Sequence, residues 1–190
     1  MSAMLEFKVL SNAKAIASDL EVDSIEIHNS IDSVDYAHLN FIAKPETADA
    51  PDLALGREIT IEAGYDGDLA TLFRGQILSQ EYQAHAGMGL GLLIECEEVV
   101  VNEFEAQPTL ELTYGEDVLQ MSLNRDVDES LYGHIEIQGQ AVSLSRLVVV
   151  KGLTSAFAQP TEVGGVHHQL AHGEWLTALS LGEDLPEEED

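Results

Sequence analysis

The chain has 190 residues, room for one large domain or two small ones. Eight basic residues stand against 35 acidic ones, a net charge of −27, which argues against direct phosphate binding, since that needs clustered Lys and Arg. Hydrophobic residues make up 45% and alternate in strand-like runs, so this is not a disordered acidic chain, and the single cysteine excludes an intrachain disulfide framework.

No apolar run approaches the roughly 18–20 residues of a membrane span. The N-terminus, MSAMLEFKVLSNAK, lacks a basic stretch followed by an apolar one, so no signal peptide is expected. Cys96 lies in an apolar strand and reads as an inert buried thiol in a reducing compartment.

Taken in chain order, Leu5 to Leu10 is a short strand and Ser11 to Asp19 a loop or helical turn. Val22 to Ile31 alternates, with Ile25 and Ile27 on the buried face, and Ser33 to Ala43 is the next strand. Pro45 to Gly56 is a loop, with a short helix expected around Leu53. From Arg57, Ile59, Ile61 and Ala63 alternate with Glu58, Thr60 and Glu62, the period of a strand with one buried face. GYDGD (64–68) is turn chemistry, because glycine and aspartate tolerate positive φ. Leu72 to Tyr82 is a strand interrupted at Gly75, where a bulge or a close backbone approach is expected. Gly87, Gly89 and Gly91 loosen the following turn, and Leu92 to Cys96 leaves it as a strand that continues through Val99, Val100 and Val101 toward Pro108.

The pattern then restarts. Thr109 to Tyr114 is a strand, Glu116 to Asp126 suits a short helix or a strand, and Leu131 to Gly139 alternates as a strand. Leu144 to Lys151 is a β-branched run, and Phe157 to Ala171 with Glu174 to Leu181 forms a hairpin around His172-Gly173. The acidic tail, 183–190, is expected to be disordered.

An internal repeat is legible. Tyr36 to Phe41 matches Tyr132 to Ile137, and Ile59 to Gly64 matches Leu147 to Gly152. Ile77, Gly87, Leu90 and Leu93 match Val163, Gly173, Leu176 and Leu179, and the Pro45–Gly56 loop has a shorter counterpart at Gln140–Ser143. Three matches in one order argue for duplicated β domains, 1–104 and 105–182, of an all-β fold with at most short helices.

No constellation carries chemistry. His167, His168 and His172 in VHHQLAH are the best metal candidate, but Gly164, Gly165 and Gly173 argue against a helix, and on a hairpin His167 and His168 point to opposite faces. Ordinary strand histidines are favoured, with His168 leaning on the apolar face of Val166 and Leu170 and His167 facing solvent or an interface. The pairs Glu97-Glu98, Glu116-Asp117 and Asp126/Asp128 are what so many acids produce by adjacency. Asp66-Gly67-Asp68 lacks the later acidic ligand of a calcium loop, and GMGLG (87–91) fits neither phosphate-loop pattern. The chain is therefore read as a non-enzyme with no metal and no cofactor.

The order strand, GYDGD, LFRGQI, long strand, LLIEC resembles the first tube-like barrel of phage tail hub proteins, the family that includes the base of VgrG-type spikes of type VI secretion and hubs of related contractile injection systems. TLELTYGEDVLQMSLNRD is similar to the segment opening the family's second barrel, and VGGVHHQLAHGEWLTALSLGED to its closing hairpin. The family's inserted domains and C-terminal spike segment have no counterpart, so the chain looks like a stripped hub. The resemblance implies two tandem tube-like β-barrels, a homotrimer joining a sixfold tail tube to a threefold spike, and tail tube, spike and baseplate proteins as partners. It implies assembly in the cytoplasm and then a place in a virion or injection-particle baseplate, with no membrane and no direct nucleic-acid binding. Glu81 and Glu95, with Glu174 as the nearest equivalent in the second domain, are the candidate channel-lining acids. The alternative is an acidic binding module, such as a DNA-mimic inhibitor of a basic protein.

Overall fold

A computed structural model describes residues 3–85, 89–99 and 107–182. The fold is all-β. Among the described residues the helical pieces are three single turns of 3₁₀ helix, Thr47–Asp49, Pro51–Leu53 and Ser155–Phe157, the second of them where a short helix is expected around Leu53. The expected strand through Val100 and Val101, the division at 104/105 and the tail from 183 lie outside the described residues.

The residues cluster into two compact units. The first gathers the described residues of 1–28, 34–102 and 168–175, and the second those of 29–33, 103–167 and 176–190.

In the first unit, β1 (Leu5–Ser11), β2 (Lys14–Ala15), β3 (Glu21–Ser30), β4 (Tyr36–Ile42), β5 (Glu58–Tyr65), β6 (Asp68–His85) and β7 (Gly89–Glu98) pair in the order β2-β1-β5-β6-β7-β4-β3. Every one of these pairings is antiparallel. The alternation read along the chain sets the faces. Ile25, Ile27, Leu39, Phe41, Ile59, Ile61, Leu92 and Ile94 are all buried, and each such side chain contributes about 1.5–3 kcal/mol by leaving water.

The 11–19 stretch, expected to be a loop or helical turn, instead opens as a tight hairpin. Asn12 and Ala13 take φ of 47° and 63° between the paired Ser11 and Lys14. Asp66 (φ 52°) and Gly67 (φ 87°) join β5 to β6 with both central residues at positive φ, the turn whose twist matches that of the strands. The Met4 N–H donates to the Asp66 carboxylate over 2.9 Å, so the acidic turn braces the chain's start.

β6 starts before the expected Leu72 and ends past the expected Tyr82. Gly75 is a close approach rather than a bulge: a Cβ there would lie 2.2 Å from the Glu97 carbonyl oxygen. The bulges flank it, where Leu72 and Leu78 are skipped in the pairings with β5 and β7.

β8 (Leu110–Thr113), β9 (Val118–Arg125), β10 (Leu131–Gln138), β11 (Leu147–Lys151), β12 (Thr161–Ala171) and β13 (Glu174–Leu181) pair in the order β8-β11-β12-β13-β10-β9, and they belong to the second unit except for 168–171 of β12 and 174–175 of β13. The 116–126 stretch is therefore a strand and not a helix. The core of the second unit holds Leu112, Ile135, Ile137, Val148, Val150, Val163, Val166 and Leu179.

Replacing β1, β5, β6, β7, β4 and β3 by β8, β11, β12, β13, β10 and β9 reproduces the pairing order. The registers recur with it. His38 lies opposite Glu26 and Glu95, and His134 opposite Ser122 and Ser180. β3 carries a bulge at Asp23 and β9 one at Leu119. The Ile77 N–H donates to Arg57 and its carbonyl accepts from Gly56, while Val163 makes the same two bonds with Arg146 and Ser145.

These registers correct two of the sequence matches by one residue. Buried Ile59 and Ile61 correspond to buried Val148 and Val150, not to Leu147 and Val149, and Ile94 corresponds to Leu179. The two halves also differ. β8 runs parallel to β11, whereas β1 is antiparallel to β5.

Candidate functional site

The solvent face of the β4–β7–β6 region in the first unit carries two of the sequence candidates, Glu81 and Glu95. Alternation on β7 buries Leu92, Ile94 and Cys96 and leaves Glu95 and Glu97 outward. Glu95 sits opposite Ser79 on β6 and His38 on β4. The Ser79 hydroxyl donates to its carboxylate, and His38 Nε2 lies 3.7 Å from Glu95 Oε1. Glu81, opposite Leu93, follows two residues along the same face of β6. One sheet face thus brings Glu81 and Glu95 together, and both are exposed.

Glu174 is placed elsewhere. It is the first residue of β13, next to the His172-Gly173 turn. The position opposite His134 that corresponds to Glu95 is Ser180, and the one corresponding to Glu81 is His167, so Glu174 is not their equivalent. The acid pair belongs to the first unit alone.

The remaining acids brace turns. Asp117 accepts from the Thr113 N–H over 2.7 Å, and Asp128 from the Ser130 N–H over 3.0 Å. The bonds from Ser130 hold the Asp128 carboxyl below its usual range. Glu98, on the opposite face from Glu97, bonds through its N–H to the Asp35 carbonyl, and burial together with the Asp35 carboxyl raises its pKa.

In VHHQLAH, β12 puts half-buried His167 and buried His168 on opposite faces, and His172 is exposed in the turn. His168 is on the apolar side, as its alternation implies. What sequence reasoning missed is its partner. The Trp175 indole N–H donates to His168 Nδ1 over 3.2 Å, and Trp175 stacks on Tyr65 with ring centres 5.8 Å apart. The signal was available, since a buried indole N–H usually finds an acceptor. Cys96 is buried, and that burial pushes its thiol up to about 12.

A hollow of about 240 Å³ in the first unit is lined by apolar Leu5, Phe7, Ile42 and Leu170 and by acidic Glu21, Asp23 and Glu174. Among the described residues it holds no nucleophile beside a general base. What the charged face and this hollow can do is repel anions and meet other proteins.

The family model described as the Alg8 N-terminal domain matches residues 1–104. No curated protein matches the sequence. Solved structures share the fold. A tail protein from Neisseria meningitidis aligns with a TM-score of 0.66 at 11% identity, covering 95% of this chain and 97% of that one. An E. coli component of the type VI secretion system, described as structurally similar to the T4 bacteriophage tail proteins gp27 and gp5, aligns at 0.65 and 9% identity, covering 94% and 77%. A 43 kDa prophage tail protein from Shewanella oneidensis aligns at 0.65 and 7% identity, covering 94% and 98%.

Proposed function

We propose that this chain, which belongs to the family described as the Alg8 N-terminal domain, is a structural hub of a contractile tail, a reading supported by the fold it shares with tail proteins. Each chain supplies two tube-like β-barrels related by duplication, one from 1–104 and one from 105–182. Three chains place six similar barrels around a channel, sixfold at the level of barrels and threefold at the level of chains. Such a ring joins a sixfold tail tube to a threefold spike. It has no catalytic task, needs no metal or cofactor, and assembles in the cytoplasm before entering a virion or injection-particle baseplate.

The observation that carries this reading is the recurrence of strand order, register and bulge position between the two units. A chain built twice on one plan is what a threefold object needs to meet a sixfold one.

The acids have a use in this arrangement. A wall carrying Glu81 and Glu95 lets polyanionic cargo slide without binding. Because Ser180 and His167 stand at the corresponding positions, the acid comes from alternate barrels, with Glu174 a third candidate near the hairpin turn. The test is the double variant Glu81→Lys, Glu95→Lys. Both side chains are exposed, so the fold should survive within about ±0.5 kcal/mol. The assembled variant should retain double-stranded DNA at low salt and release it as salt rises, through counterion release. A variant that assembles into rings and still ignores DNA removes these residues from the channel wall.

A further inference from the structure

The repeated register points to where one copy meets the next. Within the second unit, the segment 29–33 lies along β12. The Ile31 N–H donates to the Gly164 carbonyl over 3.0 Å. A Cβ built on neighbouring Gly165 would sit 3.6 Å from the Asn29 carbonyl oxygen, an ordinary contact.

Each of these residues has a counterpart in the other half. β3 and β9 correspond with His28 opposite Tyr36 and Asn124 opposite Tyr132, so Asn29 and Ile31 correspond to Arg125 and Val127. β6 and β12 correspond with Ile77 at Val163, so Gly164 and Gly165 correspond to Leu78 and Ser79. Ser79 fits where Gly165 stands, because a Cβ is tolerated there.

The counterpart bond is not made within this chain. Among the described residues, no backbone bond outside the strand ladders reaches the Leu78 carbonyl. Leu78 is 53% exposed, and Val127 is fully exposed just past the end of β9. The loop before β5 meets β6 just beyond this point, where the Gln80 and Tyr82 side chains donate to the Leu53 and Pro45 carbonyls.

We propose that the end of β9 on one copy lies along β6 of a second copy, with the Val127 N–H donating to the Leu78 carbonyl and Arg125 beside Ser79. The partner is thus another copy of this chain, joined by a heterologous contact that repeats head to tail and closes into a ring when the rotation allows. Arg125 brings one of the chain's eight basic residues to that edge. This contact rests on the duplicated-hub reading and assigns its residues.

The test mixes two single variants, Val127→Cys and Leu78→Cys, under mild oxidation. Cys96, buried and with its thiol pushed up to about 12, stays silent. The expected result is a disulfide-linked pair of chains in the mixture and in neither variant alone. The double variant should give a ladder of linked chains rather than a link within one chain. In the unmodified protein, the Val127 amide should exchange slowly only when assembled, a readout independent of any substitution. A link inside one chain overturns the proposal. Oligomers that form without the link, with Val127 exchanging freely, overturn this contact and leave the ring reading standing. A chain that stays monomeric in every variant and in the unmodified form overturns both.

Discussion

His168 and Trp175 form the interior polar pair of the first unit, and each explains the other. The indole donates to Nδ1, so the ring is neutral at that nitrogen and carries its proton, when neutral, on Nε2. Trp175→Phe keeps an aromatic ring against Tyr65 but removes the N–H that His168 Nδ1 accepts, a loss of about 1–3 kcal/mol. Thermal unfolding at neutral pH should show a melting point lower by several degrees, and an unchanged melting point would show that the bond contributes nothing. Cys96 gives a second residue-scale expectation. A thiol held near pKa 12 by burial is almost entirely protonated at neutral pH, so a thiol reagent should label it only as fast as the fold opens. Rapid labelling of native protein would contradict that burial. The sequence made the inertness of Cys96 legible through its apolar neighbours. It signalled that a buried indole N–H would need an acceptor, but not that His168 would be the one, because that depends on which two side chains meet across the hairpin.

Among the elements, β6 shows why a strand can require a glycine. The space a Gly75 side chain would need is occupied by the Glu97 carbonyl, 2.2 Å from a built Cβ, with Phe73 only 2.6 Å away. Gly133 on β10 is as tight, 2.0 Å from the Ser122 carbonyl and at φ 146°. Gly75→Ala must displace backbone, and a cost of about 1–3 kcal/mol or more is expected. Gly67→Ala, in an open turn, carries only the strain of its positive φ. Denaturant unfolding should rank Gly75→Ala clearly below Gly67→Ala, and the reverse ranking would mean that the close approach is not rigid. Strands with one apolar face, such as β3, β5 and β10, were legible from alternation. β6 was read short at both ends, because Asp68 was assigned to the GYDGD turn at one end and Gln83 to His85 carry no large apolar side chain at the other. β9 stayed ambiguous because it has no buried residue at all. The repeat slipped by one residue at Leu147-Val148-Val149 and at Leu92-Leu93-Ile94, where apolar side chains occupy both faces and hide the period of two. The parallel pairing of β8 with β11 leaves no trace in either strand's own residues.

For the whole molecule, charge and assembly oppose each other. A net charge of −27 per chain makes copies repel, and a ring concentrates that charge about one axis. Strand pairing and apolar burial must outweigh the repulsion, which salt screens over about 8–10 Å. Association should therefore strengthen from low to physiological salt, the reverse of an interface built on opposite charges. The repeat was visible in the sequence as three ordered matches, but the correspondence of Leu78 with Gly164 and of Val127 with Ile31 emerges only from the registers. The measurement that bears most directly on the hub reading is the mass of the purified chain in solution, by sedimentation equilibrium across micromolar concentrations at low and physiological salt. The hub reading predicts three chains of 20.6 kDa each per particle, more fully formed at the higher salt. A single 20.6 kDa species at every concentration and both salts would contradict it, and would favour an acidic module that acts alone.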